Sequence, residues 1–121
     1  MCLFCEMSKD NYIYEDEFVY AIFDSYPVNK GHVLIIPKEH RNNYFEATLD
    51  EKKAIDHALQ VLKKHLDKLY KPGGYNIGIN NGAIAGQTIM HLHVHLIPRY
   101  QGDVEDPHGG IRGVIPNKQK Y

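Results

Sequence analysis

Ten consecutive residues near the C-terminus, His91-Leu92-His93-Val94-His95-Leu96-Ile97-Pro98-Arg99-Tyr100, constrain this chain more than any other stretch. Three histidines alternate with Leu92, Val94 and Leu96. A period of two belongs to the β-strand, whose successive side chains point to opposite faces. The spacing predicts a strand over His91–Pro98, its apolar set in the core and its imidazoles in a row on the other face. Such a row suits a metal site or a phosphate site with a histidine nucleophile. The plainer alternative is a solvated strand face that carries histidines without using them.

The remainder reads as one domain over residues 1–121, long enough to bury a core without staples. With 14 basic and 15 acidic residues, nothing in the bulk charge draws the chain to nucleic acid or to an anionic membrane. The longest aliphatic run, Val33 to Ile36, is far too short to cross a bilayer. No basic segment leads into an apolar stretch, so no signal peptide is expected. Cys2 and Cys5 are the only cysteines, which argues against a disulfide scaffold. A soluble cytoplasmic protein is the expectation.

Tyr12–Tyr14 and Phe18–Phe23, parted by Glu15-Asp16-Glu17, predict a hairpin. His32–Ile36 predicts a buried strand stopped by Pro37. Thr48-Leu49-Asp50-Glu51 is a capping box, with Thr48 as N-cap and Glu51 as its partner. Ile55, Ala58, Leu59, Leu62, Leu66 and Leu69 follow at helical spacing, and Pro72-Gly73-Gly74 ends the run, predicting a helix over Asp50–Tyr70. His57 and His65 fall off its apolar stripe and are expected to be exposed and uninvolved. Tyr75–Asn80 predicts another strand. Asn81 to Thr88 is a glycine-bearing loop of the kind that can bring backbone N–H groups close to a phosphate. Residues 101–121 are rich in turn formers and are assigned no regular structure. The Cys2-Leu3-Phe4-Cys5 opening reads as half a zinc site, a redox pair or two buried thiols.

Ala85-Gly86-Gln87-Thr88-Ile89-Met90, running into the histidine strand through Pro98, resembles the signature of the histidine-triad (HIT) family of nucleotide hydrolases and transferases. Lys30-Gly31-His32-Val33-Leu34-Ile35-Ile36-Pro37-Lys38-Glu39-His40 resembles the family's second landmark strand, and Cys2-Leu3-Phe4-Cys5 the opening of its zinc-containing members. The resemblance covers nearly the whole chain. It implies an α+β, HIT-like fold with a mainly antiparallel five-stranded sheet, one long helix and a homodimeric assembly.

By the same resemblance His93 attacks the α-phosphorus of a purine nucleotide, forming a nucleotidyl-histidine that water hydrolyses to a nucleoside monophosphate. His95, His32, Gln87 and Thr88 would donate hydrogen bonds to the phosphate oxygens, and Asn80 would lie beside the phosphates or the leaving group. Asp24 would hold the ribose hydroxyls, and Phe4, Met7 and Ile22 would sandwich the base; a turn role for Asp24 and plain core packing for the other three are the alternatives. A structural zinc would be held by Cys2, Cys5, His40 and His91, a Cys₂His₂ set. Substrates would be dinucleoside polyphosphates or nucleoside phosphoramidates. A nucleotidyltransferase or phosphorylase of the same family, a non-catalytic nucleotide-binding module, and a catalytic zinc on His91, His93 and His95 are the competing functions.

Overall fold

The expected helix runs Leu49–Tyr70 (α1) in the computed structural model, which describes residues 2–121. Its capping box forms in both directions: the Glu51 N–H donates to Thr48 Oγ1 at 3.1 Å, and the Thr48 N–H to Glu51 Oε1 at 2.8 Å. Such a cap satisfies two backbone donors that the first turn leaves free. The left-handed residue that ends the helix is Lys71, at φ 51°, one position ahead of the Pro-Gly-Gly signal. Ala54, Ile55, Ala58, Leu62 and Leu66 are buried, whereas Leu69 is exposed. The last turn packs through Tyr70, whose ring lies over Gly31 so closely that a Cβ there would stand 2.8 Å from it. At φ 89°, Gly31 also needs a backbone conformation that side-chain-bearing residues avoid.

Five strands form one antiparallel sheet: β1 (Tyr14–Glu15), β2 (Val19–Phe23), β3 (Val33–Pro37), β4 (Gly74–Gly78) and β5 (Val94–Arg99), in the order β1-β2-β3-β5-β4. Alternation divides each central strand between two cores. Val19 and Ala21, Val33 and Ile35, and Val94 and Leu96 join α1 on one face. Tyr20, Ile22, Leu34 and Ile36 pack on the other, under Phe4 and flanked by Cys2, Met7, Tyr12 and Ile89. Each aliphatic side chain so buried contributes ~2 kcal/mol of transfer free energy. The sheet is therefore covered by a helix on one side and by the N-terminal segment on the other.

Two expectations need correction. Ladder pairing of the histidine strand starts at Val94, not His91. Its neighbour β3 runs on to Pro37, two residues past the last pair with this strand, and there the carbonyl of Pro37 accepts the His91 Nε2 proton at 2.8 Å. The Leu92 N–H goes instead to the Arg41 carbonyl, at 2.6 Å. Alternation survives without the ladder, since Leu92 still joins the α1-side core. The tail is also more regular than expected, with 3-10 turns at Gly110–Val114 and Pro116–Lys118. Gly109 (φ 88°) admits the first and Pro116 opens the second. No helix among the described residues is long and apolar enough to cross a membrane.

Candidate active site and metal site

The sheet face turned away from α1 carries the site. Register places His95 opposite Leu34 on β3 and opposite Gly78 on β4. One step beyond β3, His32 is held by its carbonyl, which accepts the Asp24 N–H at 2.9 Å. Three imidazoles, His32, His93 and His95, thus meet beside Asp24: His32 Nε2 lies 2.9 Å from His95 Nδ1, and the His93 and His95 ring centroids are 5.3 Å apart.

Backbone groups decide where the protons sit, because an N–H can only donate and a carbonyl can only accept. The Val28 N–H donates to His32 Nδ1 at 3.1 Å, so the proton of neutral His32 is on Nε2. That proton points at His95 Nδ1, which must accept, leaving His95 with an outward Nε2–H. His93 is the reverse case: its Nδ1–H donates to the His91 carbonyl at 2.8 Å, so its Nε2 carries a free lone pair. One nucleophilic nitrogen and one hydrogen-bond donor therefore stand side by side. Asp24 Oδ2 is 3.5 Å from His32 Nε2, while Oδ1 accepts the Tyr26 N–H at 2.9 Å. The carboxylate serves its own turn with one oxygen and faces the histidines with the other. Asp24, His32 and His95 are close enough to suggest a metal, but the His32 proton on Nε2 leaves that nitrogen no lone pair to give.

Burial favours the neutral form of His95 and His32. His95 is pushed down to about 4 by burial and by the neighbouring His93 and His32, against the pull of Asp24. His32 is lowered by burial, again opposed by Asp24.

The second cluster lies at the start of the same motif. Donor atoms of Cys2, Cys5, His40 and His91 all fall within 4.8 Å of one another. His91 Nδ1 is 3.3 Å from Cys2 Sγ and 3.5 Å from Cys5 Sγ, and His40 Nδ1 is 3.3 Å from Cys5 Sγ. A tetrahedral zinc with bonds of about 2.0–2.3 Å needs donors roughly 3.3–3.8 Å apart, and these three separations match it. Both imidazoles spend Nε2–H on an oxygen, His91 on Pro37 O and His40 on Asn42 Oδ1 at 3.0 Å, which frees Nδ1 toward the sulfurs. Outer hydrogen bonds of this kind orient histidine ligands in metal sites. Burial raises the Cys2 thiol, but the Cys5 backbone N–H, then the Cys5 thiol and His40, outweigh it and leave Cys2 below its ordinary value. Burial, followed by Cys2, raises Cys5.

The remaining candidates divide. Gln87 is buried, and its amide is fully engaged: Oε1 accepts the Gly82 N–H at 2.8 Å, while Nε2 donates to the carbonyls of Asn42 and Ile89. In this arrangement it ties the glycine loop to the His40–Asn42 segment and has no proton left for a phosphate. Thr88 is exposed and lines a cleft with Cys2, His40 and Met90. The Asn80 amide lies against Gly86, about 3.8 Å from where a Cβ would be. Phe4 and Ile22 are buried in the second core, and half-buried Met7 lines a cleft with Ile22 and Ser25. His57 and His65 are exposed on α1, away from both clusters.

Several contributors were illegible in the sequence. Val28 and Pro37 act through backbone groups, which no residue type announces. Arg41 and Glu51 pair at 2.9 Å with Glu51 buried, anchoring the His40 segment to the first turn of α1. The one available signal was the capping box itself, whose Glu51 carboxylate keeps lone pairs for a cation: Oε1 accepts both the Thr48 N–H and the Arg41 Nε–H.

The HIT domain profile matches residues 6–102. An uncharacterized HIT-like protein of Methanocaldococcus jannaschii is 43% identical over 111 residues, covering 87% of this chain and 84% of that one. An adenylylsulfatase of Arabidopsis thaliana is 34% identical over 106 residues, 84% of this chain and 54% of that one. A bis(5'-adenosyl)-triphosphatase of Saccharomyces cerevisiae is 35% identical over 89 residues, 73% and 43% of the two chains. Among solved structures, a HIT family protein from Bacillus anthracis superposes with TM-score 0.79 at 38% identity, covering 84% of this chain and 75% of that one. A zinc-bound histidine triad family protein from Mycobacterium smegmatis gives TM-score 0.78 at 32% identity, covering 87% and 79%.

Proposed function

The chain belongs to the HIT domain family, and from that premise we propose that it is a nucleotide hydrolase working through a covalent nucleotidyl-histidine on His93. The observation that carries this reading is the His93 Nδ1–H bond to the His91 carbonyl, which leaves Nε2 free beside the His95 donor. In the first step the Nε2 lone pair bonds to the α-phosphorus, and the leaving group departs with the electron pair of its bond to phosphorus. In the second, water bonds to phosphorus, the N–P pair returns to Nε2, and a nucleoside monophosphate is released with one water consumed. A neutral imidazole suits this role near pH 7.

The His95 Nε2–H faces the developing phosphate charge, and a well-placed donor of this kind stabilises such a transition state by ~3 kcal/mol. His32 fixes the His95 tautomer. The free oxygen of Asp24 takes the ribose hydroxyls, Met7 and Ile22 line the base, Thr88 donates to the phosphate oxygens, and Asn80 lies beside the phosphates or the leaving group. Substrates are dinucleoside polyphosphates or nucleoside phosphoramidates of purine type, in keeping with relatives that act as an adenylylsulfatase and a bis(5'-adenosyl)-triphosphatase.

Cys2, Cys5, His40 and His91 would hold a structural zinc. Bound there, it cross-links the N-terminus to two distant segments and takes no part in the phosphoryl steps. A homodimer joined along β4 completes the proposal, since β4 pairs only with β5 and leaves an open edge with Ile77 exposed. The deciding experiment gives the protein adenosine phosphoramidate and diadenosine tri- and tetraphosphates, with and without inorganic phosphate, and identifies products. AMP from these substrates with nucleotide trapped on His93 by alkaline quenching is expected. Absence of both overturns the reading.

A further inference from the structure

The Cys2–Cys5 segment enters the proposal above through its two sulfurs, yet the residue between them reaches further. Phe4 is only 4% exposed, and its ring packs edge-on against two imidazoles. The centroid of His91 is 5.9 Å away at 89°, and that of His93 is 5.2 Å away at 61°. Phe4 has little freedom of its own. Its carbonyl accepts the buried Tyr20 hydroxyl, and its ring rests on Tyr20, Ile22, Leu34 and Ile36. Across the segment the Cys5 N–H donates to Cys2 Sγ at 3.4 Å.

A nucleophile needs more than a free lone pair. The bond from Nδ1 to the His91 carbonyl sets the His93 tautomer and holds one end of the ring. A single hydrogen bond still lets an imidazole swing about the donor–acceptor line, carrying Nε2 sideways. Phe4 on one flank and His95 on another, at 5.3 Å and 63°, close that swing. At 4% exposure, Phe4 also offers almost no area on which a base could stack. We infer that Phe4 is a positioning residue for the nucleophile, passing the order of the Cys2–Cys5 segment to His93. The inference rests on the histidine-nucleophile reading above. A misplacement of about 1 Å in a reacting group costs ~10²-fold in rate, which sets the scale of the effect.

The test uses Phe4→Leu and Phe4→Met in the metal-replete full chain, since both keep apolar bulk while removing the flat ring. Metal content and Tm show that each variant is folded. On adenosine and uridine phosphoramidates kcat should fall ~10–100-fold by the same factor for both, with KM within about twofold. Nitrogen-15 relaxation spectra of the imidazoles should show the His93 ring gaining motion about its Nδ1–H bond while His91 is unchanged. Unchanged kcat with a raised KM that depends on the base would make Phe4 a base wall and overturn the inference. An unaltered His93 spectrum would overturn it too, even if one variant lost stability. If wild type forms no adduct on His93, the functional reading fails separately, and the spectra still decide whether Phe4 orders that ring.

Discussion

Two clusters of imidazoles stand on one short motif, and they differ in which ring nitrogen faces outward. At His91 and His40 the Nε2 protons are spent on oxygens, and the Nδ1 lone pairs converge on two sulfurs. At His93 the Nδ1 proton is spent and Nε2 is presented; at His95, Nδ1 accepts and an Nε2–H is presented. The residue type is the same throughout. The role proposed for each, as ligand, nucleophile or donor, follows from the one hydrogen bond its ring makes on the far side. The clusters are also joined, because the main-chain carbonyl of His91 holds His93 while its imidazole faces the two sulfurs.

The sharpest way to break the contrast is to remove the one nitrogen read as nucleophilic. His93→Ala should lower kcat by at least ~10³-fold, about 4 kcal/mol of transition-state stabilisation, while nucleotide binding and metal content stay near wild type. Steady-state kinetics beside zinc analysis will check both halves. Loss of metal in this variant would put His93 among the ligands and erase the distinction between clusters.

The reciprocal change acts on the metal side. Cys5→Ser should release the metal and destabilise the fold by ~3 kcal/mol, the linkage expected of a ligand at about a hundred times its dissociation constant, or roughly 10 °C in Tm. Turnover should be reduced yet measurable. Complete loss of activity in a protein that remains folded at the assay temperature would mean that the metal takes part in the chemistry.

Asp24→Asn probes the phosphate side more gently. Loss of the charged acceptor should raise KM for ribonucleotides by ~1–2 kcal/mol, with a much smaller effect on a 2′,3′-dideoxy analogue. Equal losses on both would confine Asp24 to the turn in which its Oδ1 accepts the Tyr26 N–H.

A further effect is expected on stability in acid. His95 stays neutral in the folded protein down to about 4, whereas a free imidazole takes a proton near pH 6.5. Below about pH 6.5 the unfolded chain therefore binds the proton first. The stabilisation from neutral His95 is complete above that pH and is lost progressively as the pH falls toward 4. Tm measured against pH should decline through this window, and His95→Gln should flatten the decline. Using Cys5→Ser as the background removes the metal's own acid sensitivity. An unchanged slope would mean that burial does not hold His95 neutral.

Legibility in the sequence followed the range of the interaction. The helix was nearly complete on inspection, because a capping box and a 3.6-residue stripe are local. The strands were placed within a few residues, and the error at His91–His93 has a definite origin. Periodicity reports which face a side chain takes, and it did so correctly; it cannot report where pairing with the neighbouring strand stops. Gln87 shows the same limit on the chemical side. Its type and place in the motif suggested a phosphate donor, whereas three backbone partners, at Gly82, Asn42 and Ile89, consume its amide.

By itself, then, the sequence determined the two-faced histidine segment, the capped helix that covers one side of the sheet, and the cysteines and histidines that folding gathers into two clusters. Alternation and capping depend on neighbours a few positions away, so they survive as pattern in a linear text. Only the tertiary structure decided which nitrogen of each histidine is free. That choice is made by Val28, Pro37, Asn42, His32 and the carbonyl of His91, three of the five acting through the backbone, and Pro37 reaches its histidine across 54 positions of sequence. Backbone donors and acceptors are alike in nearly every residue. Their effect on a ring is a matter of where folding brings them.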